Sequence, residues 1–151
     1  MGCLISKLNK ENIMGTRSLH YFYSSEKELK EEKPTACIYR HWDGYLEGAG
    51  LDIKEFLETL RDTDMDSRFG DASYLASKYL VYLAQNFAGD WKENPLDFLS
   101  VGIMPTTKGL DAWQDYTYHF VCEVQDNGLP KVVFDGYNEE KEDLFLSLQK
   151  L

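Results

Sequence analysis

The first pattern along the chain is an alternation of apolar and polar positions that predicts a β-hairpin. Apolar and aromatic residues alternate loosely in the segments Thr16–Ser24 and Pro34–His41, as strand residues do when one face is buried. The segment between them, Ser25–Lys33, is rich in Glu and Lys, and we expect it to be a solvated connection. The chain therefore opens its folded region with two paired strands.

Apolar residues then recur at helical spacing. Asp52, with Glu55 three residues later, is typical of a helix N-terminus, and apolar residues follow it every three or four positions. Asp71 can cap a second, longer helix, and Gly89 is placed to end it. The apolar stripe of the second helix predicts its core-facing side, made of Ala72, Ala76, Tyr79, Leu80, Leu83 and Phe87.

The C-terminal half returns to strand patterns, at Leu99–Met104, Tyr116–Val124 and Lys131–Phe134. Strict alternation in the middle strand puts Phe120 and Cys122 on one face and His119 on the other, and we expect Ala76, Leu80 and Leu83 to cover the Phe120 face. Asp126-Asn127-Gly128 is a strong hairpin turn signal, and Glu140–Leu148 predicts a closing helix. The order β-β-α-α-β-β-β-α predicts an α+β fold: an antiparallel sheet of about five strands with helices packed on one face.

Length and composition fit one domain. The chain has 151 residues, of which 43% are hydrophobic, so a single core can form. We expect the domain to comprise residues 14–151.

Residues 1–13 have little periodicity and are expected to be a flexible N-terminal extension. Their opening Met1-Gly2-Cys3 with Ser6 fits a lipidation pattern, so Gly2 and Cys3 are the one membrane link that the sequence offers. Without an apolar run of membrane-spanning length, we expect a cytoplasmic protein.

The net charge limits the kinds of partner that fit the sequence, and the cysteines indicate the compartment. The formal net charge of -10 opposes general attraction to nucleic acid or anionic lipid and favours a partner protein with a basic surface. Cys3, Cys37 and Cys122 are odd in number and widely spaced, which fits neither a disulfide framework nor a zinc knuckle. We expect Cys37 and Cys122 to be small core residues in a reducing compartment, and we expect no cofactor and no bound metal.

One segment concentrates aromatic, charged and glycine residues where a strand gives way to a helix. It runs from Tyr39 to Gly50; its glycines allow close backbone approach, free helix amides can receive an anion, and the aromatic rings can stack. The alternative is structural, with Asp43-Gly44 as a turn, the aromatics over the core and Arg40 paired with Asp43 or Glu47. Tight pairing of the first hairpin would add Arg17, so the candidate ligand- or partner-binding residues are Arg17, Arg40, His41, Trp42, Asp43, Tyr45 and Glu47.

This loop and a motif upstream resemble those of a known family. Tyr39-Arg40-His41-Trp42-Asp43-Gly44-Tyr45, with Met14-Gly15-Thr16-Arg17, resembles a family of uncharacterised proteins from phages, bacteria and some fungi. Members of that family begin with a Gly-Thr-Arg strand and carry a Tyr-Arg-X-aromatic-Asp-Gly-Tyr-Pro-X-Gly loop. The similarity covers Met14 to about Val124, with Leu46 at the usual proline and Ala49 where histidine is common. The resemblance implies a phage or mobile-element setting and supplies no reaction.

Two functions from different classes remain. The chain has none of the usual nucleotide-loop, zinc-protease or nucleophile-elbow signatures, which favours a protein without catalysis while leaving it open. Metal binding by His41, Asp43 and Glu47, or acid–base chemistry by His119 with Asp43 or Glu47, stays an alternative.

The first hypothesis is a non-enzymatic interaction module: a phage accessory protein of the host cytoplasm that inhibits a host nucleic-acid-binding or defence protein through a basic surface. The second is binding, with or without turnover, of a small anionic ligand such as a nucleotide at the Arg40–Gly50 loop. In that case Arg40 and Asp43 are partly exposed charges, and replacing them should cost only ~0–1 kcal/mol of folding stability.

Overall fold

The structure is a computed structural model that describes residues 16–63, 68–87, 100–136 and 139–151. The expected N-terminal extension 1–13, the lipidation pattern at Gly2 and Cys3, and the helix stop at Gly89 lie outside the described residues. The elements in chain order are β1 (Ser18–Tyr23), α1 (Glu26–Glu31), β2 (Ala36–Arg40), a π-helical turn (Leu46–Gly50), α2 (Leu51–Thr63), α3 (Ala72–Phe87), β3 (Val101–Ile103), β4 (Tyr116–Val124), β5 (Pro130–Gly136), β6 (Glu142–Asp143) and α4 (Leu144–Leu148).

The predicted α+β fold is confirmed. The described strands form a six-stranded, mostly antiparallel sheet in the order β3-β2-β1-β4-β5-β6. Both predicted hairpins are present: β1 pairs with β2, and β4 pairs with β5 across a turn in which Gly128 has φ 80°. The sheet is mixed, because β1 and β4 run parallel at its centre. These two strands belong to different hairpins joined by long connections, and alternation within a strand carries no information about its direction.

Three helices cover one face of the sheet. Alternate strand residues such as Phe22, Tyr118 and Phe120 form a buried core with residues of α2, α3 and α4. Ala76 and Leu83 lie in this core as predicted, whereas Leu80 is only half-buried and Leu75 is fully buried. Asp71 does cap α3, since its Oδ1 accepts a hydrogen bond from the Tyr74 amide at 3.3 Å.

The opposite face, here called the open face, carries Tyr21, Tyr23, Val121 and Val133, and the short helix α1 packs against it through Leu29. The expectation that Ser25–Lys33 is only a solvated connection is wrong, because Ser25 caps α1: its Oγ accepts a hydrogen bond from the Glu28 amide at 3.2 Å. Since β3 and β4 are separated by two strands, residues 104–115 must cross the sheet to join them, and residues 107–110 line the open face.

Candidate functional site

The Tyr39–Gly50 loop is closed by its own backbone. The Gly44 amide donates a hydrogen bond to the Thr16 carbonyl oxygen at 2.8 Å, and the Tyr118 hydroxyl donates to the Gly44 carbonyl oxygen at 2.8 Å. A side chain at Gly44 would meet the Thr16 oxygen at 2.7 Å, and a side chain at Gly48 would collide with the Asp43 carbonyl oxygen. Asp43 itself has φ 48°, in the left-handed region. Close packing therefore explains why glycines occupy these two positions.

The Arg40 side chain points into the space between the sheet and the helices α2 and α3. Its side chain is 1% exposed; Nη2 lies 2.8 Å from Asp52 Oδ2 and Nε donates to the Trp42 carbonyl oxygen at 2.8 Å. The guanidinium carbon lies 3.7 Å from the centre of the Trp42 ring, and Phe87 packs beside that ring. The partner of Arg40 is thus Asp52 at the start of α2, not Asp43 or Glu47. The pair ties the end of β2 to α2.

Two further buried polar residues, His20 and Tyr79, lie beside Arg40. His20 is fully buried, contacts the Tyr79 ring at 5.2 Å between centroids, and its Nε2 lies 2.7 Å from Ser18 Oγ. Burial, followed by the charge of Arg40, holds the pKa of His20 well below its ordinary value, so this imidazole is neutral at pH 7. Arg40 Nη1, His20 Nδ1 and the Tyr79 hydroxyl find no hydrogen-bond partner among the described residues.

The other predicted site residues are dispersed around the loop. His41 Nδ1 contacts the Tyr39 hydroxyl, and the Tyr45 hydroxyl donates to Asp43 Oδ1 at 3.3 Å. Asp43 and Glu47 are exposed. The Arg17 amide donates to Asp115 Oδ2 at 3.2 Å, before β1 begins. The structure therefore joins Arg40 to Trp42 and Tyr45 to Asp43.

A recess opens on the other side of the sheet, bounded by the open face, the turn after α1 and the crossing segment. It encloses about 190 Å³. Its floor is made of polar residues withdrawn from solvent: Tyr23 is 3% exposed, His119 6% and Thr117 8%. We call it the open-face recess; it is lined by Tyr21, Tyr23, Glu32, Pro34, Thr107, Lys108, Gly109, Leu110, Thr117, His119, Asp135 and Lys141.

His119 is held between a carboxylate and a phenol at this floor. Its Nε2 lies 3.3 Å from Asp135 Oδ2, and its Nδ1 lies 3.4 Å from the Tyr23 hydroxyl oxygen. A carboxylate only accepts hydrogen bonds, so Nε2 carries a proton. In the neutral imidazole Nδ1 accepts from the Tyr23 hydroxyl, and in the imidazolium Nδ1 donates to the hydroxyl oxygen. Both contacts are long for hydrogen bonds. The arrangement is an Asp135–His119–Tyr23 chain of hydrogen bonds that ends at the recess.

Aromatic rings fix the plane of this imidazole. Tyr21 and Tyr23 stack on His119 with centroids 5.7 and 5.9 Å away. Burial raises the pKa of Tyr21 to about 12, with a smaller contribution from the neighbouring Cys37, and burial likewise raises the pKa of Tyr23. Both phenols therefore keep their protons at neutral pH and can serve as hydrogen-bond donors.

Charged side chains stand at the mouth of the recess. Lys108, from the crossing segment, lies 3.4 Å from Glu32 Oε2, and Glu32 ends α1 in the left-handed conformation with φ 55°. Lys141 lines the recess just before β6 and is exposed. Because Glu32 is paired with Lys108, the ammonium of Lys141 adds positive charge on the same side as the buried imidazole.

Sequence reasoning placed His119 on the correct face but did not find its partners. Tyr23 and Asp135 are separated from it by 96 and 16 residues, respectively. The carboxylate that reaches His119 is Asp135, and not Asp43 or Glu47. A usable signal was present in the alternation of the neighbouring strands, where polar residues recur on a face that is otherwise apolar.

Comparisons with protein-family models, with curated protein sequences and with solved structures find no match to this chain. In the part of the chain that the structure describes, no helix is both long enough and apolar enough to cross a membrane. Among those same residues, no group of three or more His, Cys, Asp or Glu side chains is placed to hold a metal ion. What points to a function is thus the geometry of the two sites.

Proposed function

We propose that the protein binds a small polar ligand in the open-face recess. The observation that carries this proposal is the buried imidazole of His119, fixed between Asp135 and Tyr23 at the floor of a cavity that is rimmed by charged side chains. Polar groups withdrawn from water cost free energy, and a convergent set of them in a concave site is the usual mark of ligand recognition.

The size and charge of the recess limit the ligand. A cavity of about 190 Å³ is smaller than the ~300–1,000 Å³ typical of sites for drug-sized molecules. It suits a small molecule, or one end of a larger one, better than a whole nucleotide. Lys141 favours a ligand with negative charge, because Lys108 is paired with Glu32, and the Tyr23 and Thr117 hydroxyls supply hydrogen bonds for orientation.

The Arg40–Gly50 loop offers less to a ligand. The guanidinium of Arg40 is 1% exposed, and two of its nitrogens are engaged by Asp52 and Trp42. An anion would have to displace the Trp42 ring and compete with the Asp52 carboxylate. The loop is better understood as a support that joins β2 to α2.

A ligand-observed NMR screen of small acids, alcohols and amides, followed by amide chemical-shift mapping, tests this function. Binding compounds should shift amides of β1, β4 and the segment 104–115, and their affinity should fall at least tenfold in His119→Phe and Asp135→Asn. Asp126→Asn, in the exposed turn after β4, is the matched control and should bind normally. Compounds that bind only elsewhere, or equally well in both recess variants, would contradict the proposal.

A second candidate is the acidic interaction module, with a basic host protein as the partner of a phage-type accessory protein. It is favoured by the net charge of -10 and by a shallow groove between α2 and α3, where Tyr74 and Val81 are 53% and 54% exposed. Glu55 and Asp62 are exposed on α2 nearby. If this candidate is right, association with a captured basic partner should slow as salt increases.

A further inference from the structure

We propose, resting on the proposed function, that the open-face recess takes a small carboxylate at the Tyr23 hydroxyl and that binding is coupled to uptake of one proton by His119. A phenol hydroxyl has one proton, so Tyr23 can donate only one hydrogen bond at a time. In the empty site the neutral form of His119 donates from Nε2 to Asp135, so its Nδ1 accepts from the Tyr23 hydroxyl. A carboxylate ligand also only accepts, so the Tyr23 proton must turn away from His119 to meet it.

When the Tyr23 hydroxyl turns to the ligand, two hydrogen-bond acceptors face each other unless His119 gains a proton. With the ligand bound, the bare Nδ1 of His119 would face a lone pair of the Tyr23 oxygen 3.4 Å away, two acceptors with no hydrogen between them. A proton taken from solvent onto Nδ1 removes the mismatch. The hydrogen bonds then all point one way, from His119 Nδ1 to the Tyr23 oxygen and from the Tyr23 hydroxyl to the ligand.

The surroundings favour the imidazolium that results. Asp135 accepts from its Nε2, and the two tyrosine rings stacked on it can stabilise a cation. The other charged groups that line the recess are Glu32, which is paired with Lys108, and Lys141. Lys141 opposes the extra positive charge on His119 and attracts the carboxylate, so the ligand and the proton are expected to enter together.

The carboxylate class follows from the same set of groups. A neutral amide of the same shape can receive the Tyr23 hydrogen bond but gains nothing from Lys141 or from the imidazolium. Acetate and acetamide are therefore a matched pair of probes, and acetate does not itself titrate near neutral pH.

The test is a titration of the full chain with acetate and with acetamide at pH 6, 7 and 8, followed by amide shifts and by the ring ¹⁵N shifts of His119. We expect the Kd for acetate to rise between pH 6 and pH 8, by at most about tenfold per pH unit, and Nδ1 to become protonated on binding. Tyr23→Phe should weaken acetate binding and reduce the pH dependence to the part that the imidazolium charge alone supplies, while the protein stays folded. Lys141→Gln should weaken acetate binding and keep the pH dependence.

The outcomes separate the two proposals. Acetate binding with a pH-independent Kd and a bare Nδ1 would overturn the proton coupling and leave the recess as a ligand site. Equal affinity for acetamide would overturn the carboxylate class. Recess amides that respond to neither probe would overturn this inference, and the broader ligand screen would then decide whether the recess binds other molecules.

Discussion

Replacing Arg40 with alanine should destabilise the fold strongly, because its charge is held inside the protein. The substitution removes the 2.8 Å contact to Asp52 and the bond to the Trp42 carbonyl oxygen, and it leaves the Asp52 carboxylate, 19% exposed, without its counter-charge. Breaking a buried ion pair from one side typically costs ~3–5 kcal/mol. The sequence had suggested a partly exposed charge worth ~0–1 kcal/mol, so the two magnitudes are easily separated.

Urea unfolding followed by circular dichroism measures this cost. Arg40→Ala, Asp52→Ala and the double variant form a thermodynamic cycle, in which we expect a coupling energy above about 1 kcal/mol. The matched control is Lys54 with Glu58 on the same helix, an ion pair of 2.7 Å whose side chains are 41% and 35% exposed; its coupling should be about 0.3–0.5 kcal/mol. An Arg40→Ala protein that loses less than about 1 kcal/mol would refute the buried-pair account.

Three further predictions concern the loop, the buried histidine and the thiols. Gly48→Ala should lower the denaturation midpoint because its Cβ would collide with the Asp43 oxygen, whereas Gly102→Ala, with open space around it, should not. The lowered pKa of His20 means that the unfolded chain binds more protons below about pH 6.5, so stability should fall as pH drops through that range, by up to about 1.4 kcal/mol per unit; His20→Gln should flatten this slope in pH-dependent melts. Burial raises the pKa of Cys37 to about 12 and that of Cys122 to about 12, so iodoacetamide should label both slowly at pH 8 and quickly in urea; fast labelling of either of these two residues in the folded protein, located by peptide mapping, would contradict their placement.

Strand alternation predicted more of this fold than motif recognition did. Along β4 it placed Phe120 and His119 on opposite faces, and the structure confirms both. The register next to the turn, with Val124 opposite Pro130, would continue to His119 opposite Asp135. The β-bulge between Val121 and Val124 instead places Asp135 opposite Thr117, diagonal to His119 on the same face.

In the Tyr39–Gly50 loop, residue type misleads where strand alternation would have been right. Alternation in β2 would have put Arg40 on the same face as buried Ile38, but a charged residue is seldom fully buried, and its type argued for exposure. The sequence pattern predicts its true partner, Asp52, only as a residue of the helix N-terminus. Sequence patterns of this kind place backbone elements; pairs between distant side chains depend on register and on packing between layers, which such patterns do not encode.

The most direct test of the ligand-site account is a crystal structure of the protein with a compound from the screen at saturating concentration. We predict ligand density in the open-face recess, with a ligand oxygen within hydrogen-bond distance of the Tyr23 hydroxyl and near Lys141. Density for the ligand at another surface, with water alone over Tyr23 and His119, would contradict the account.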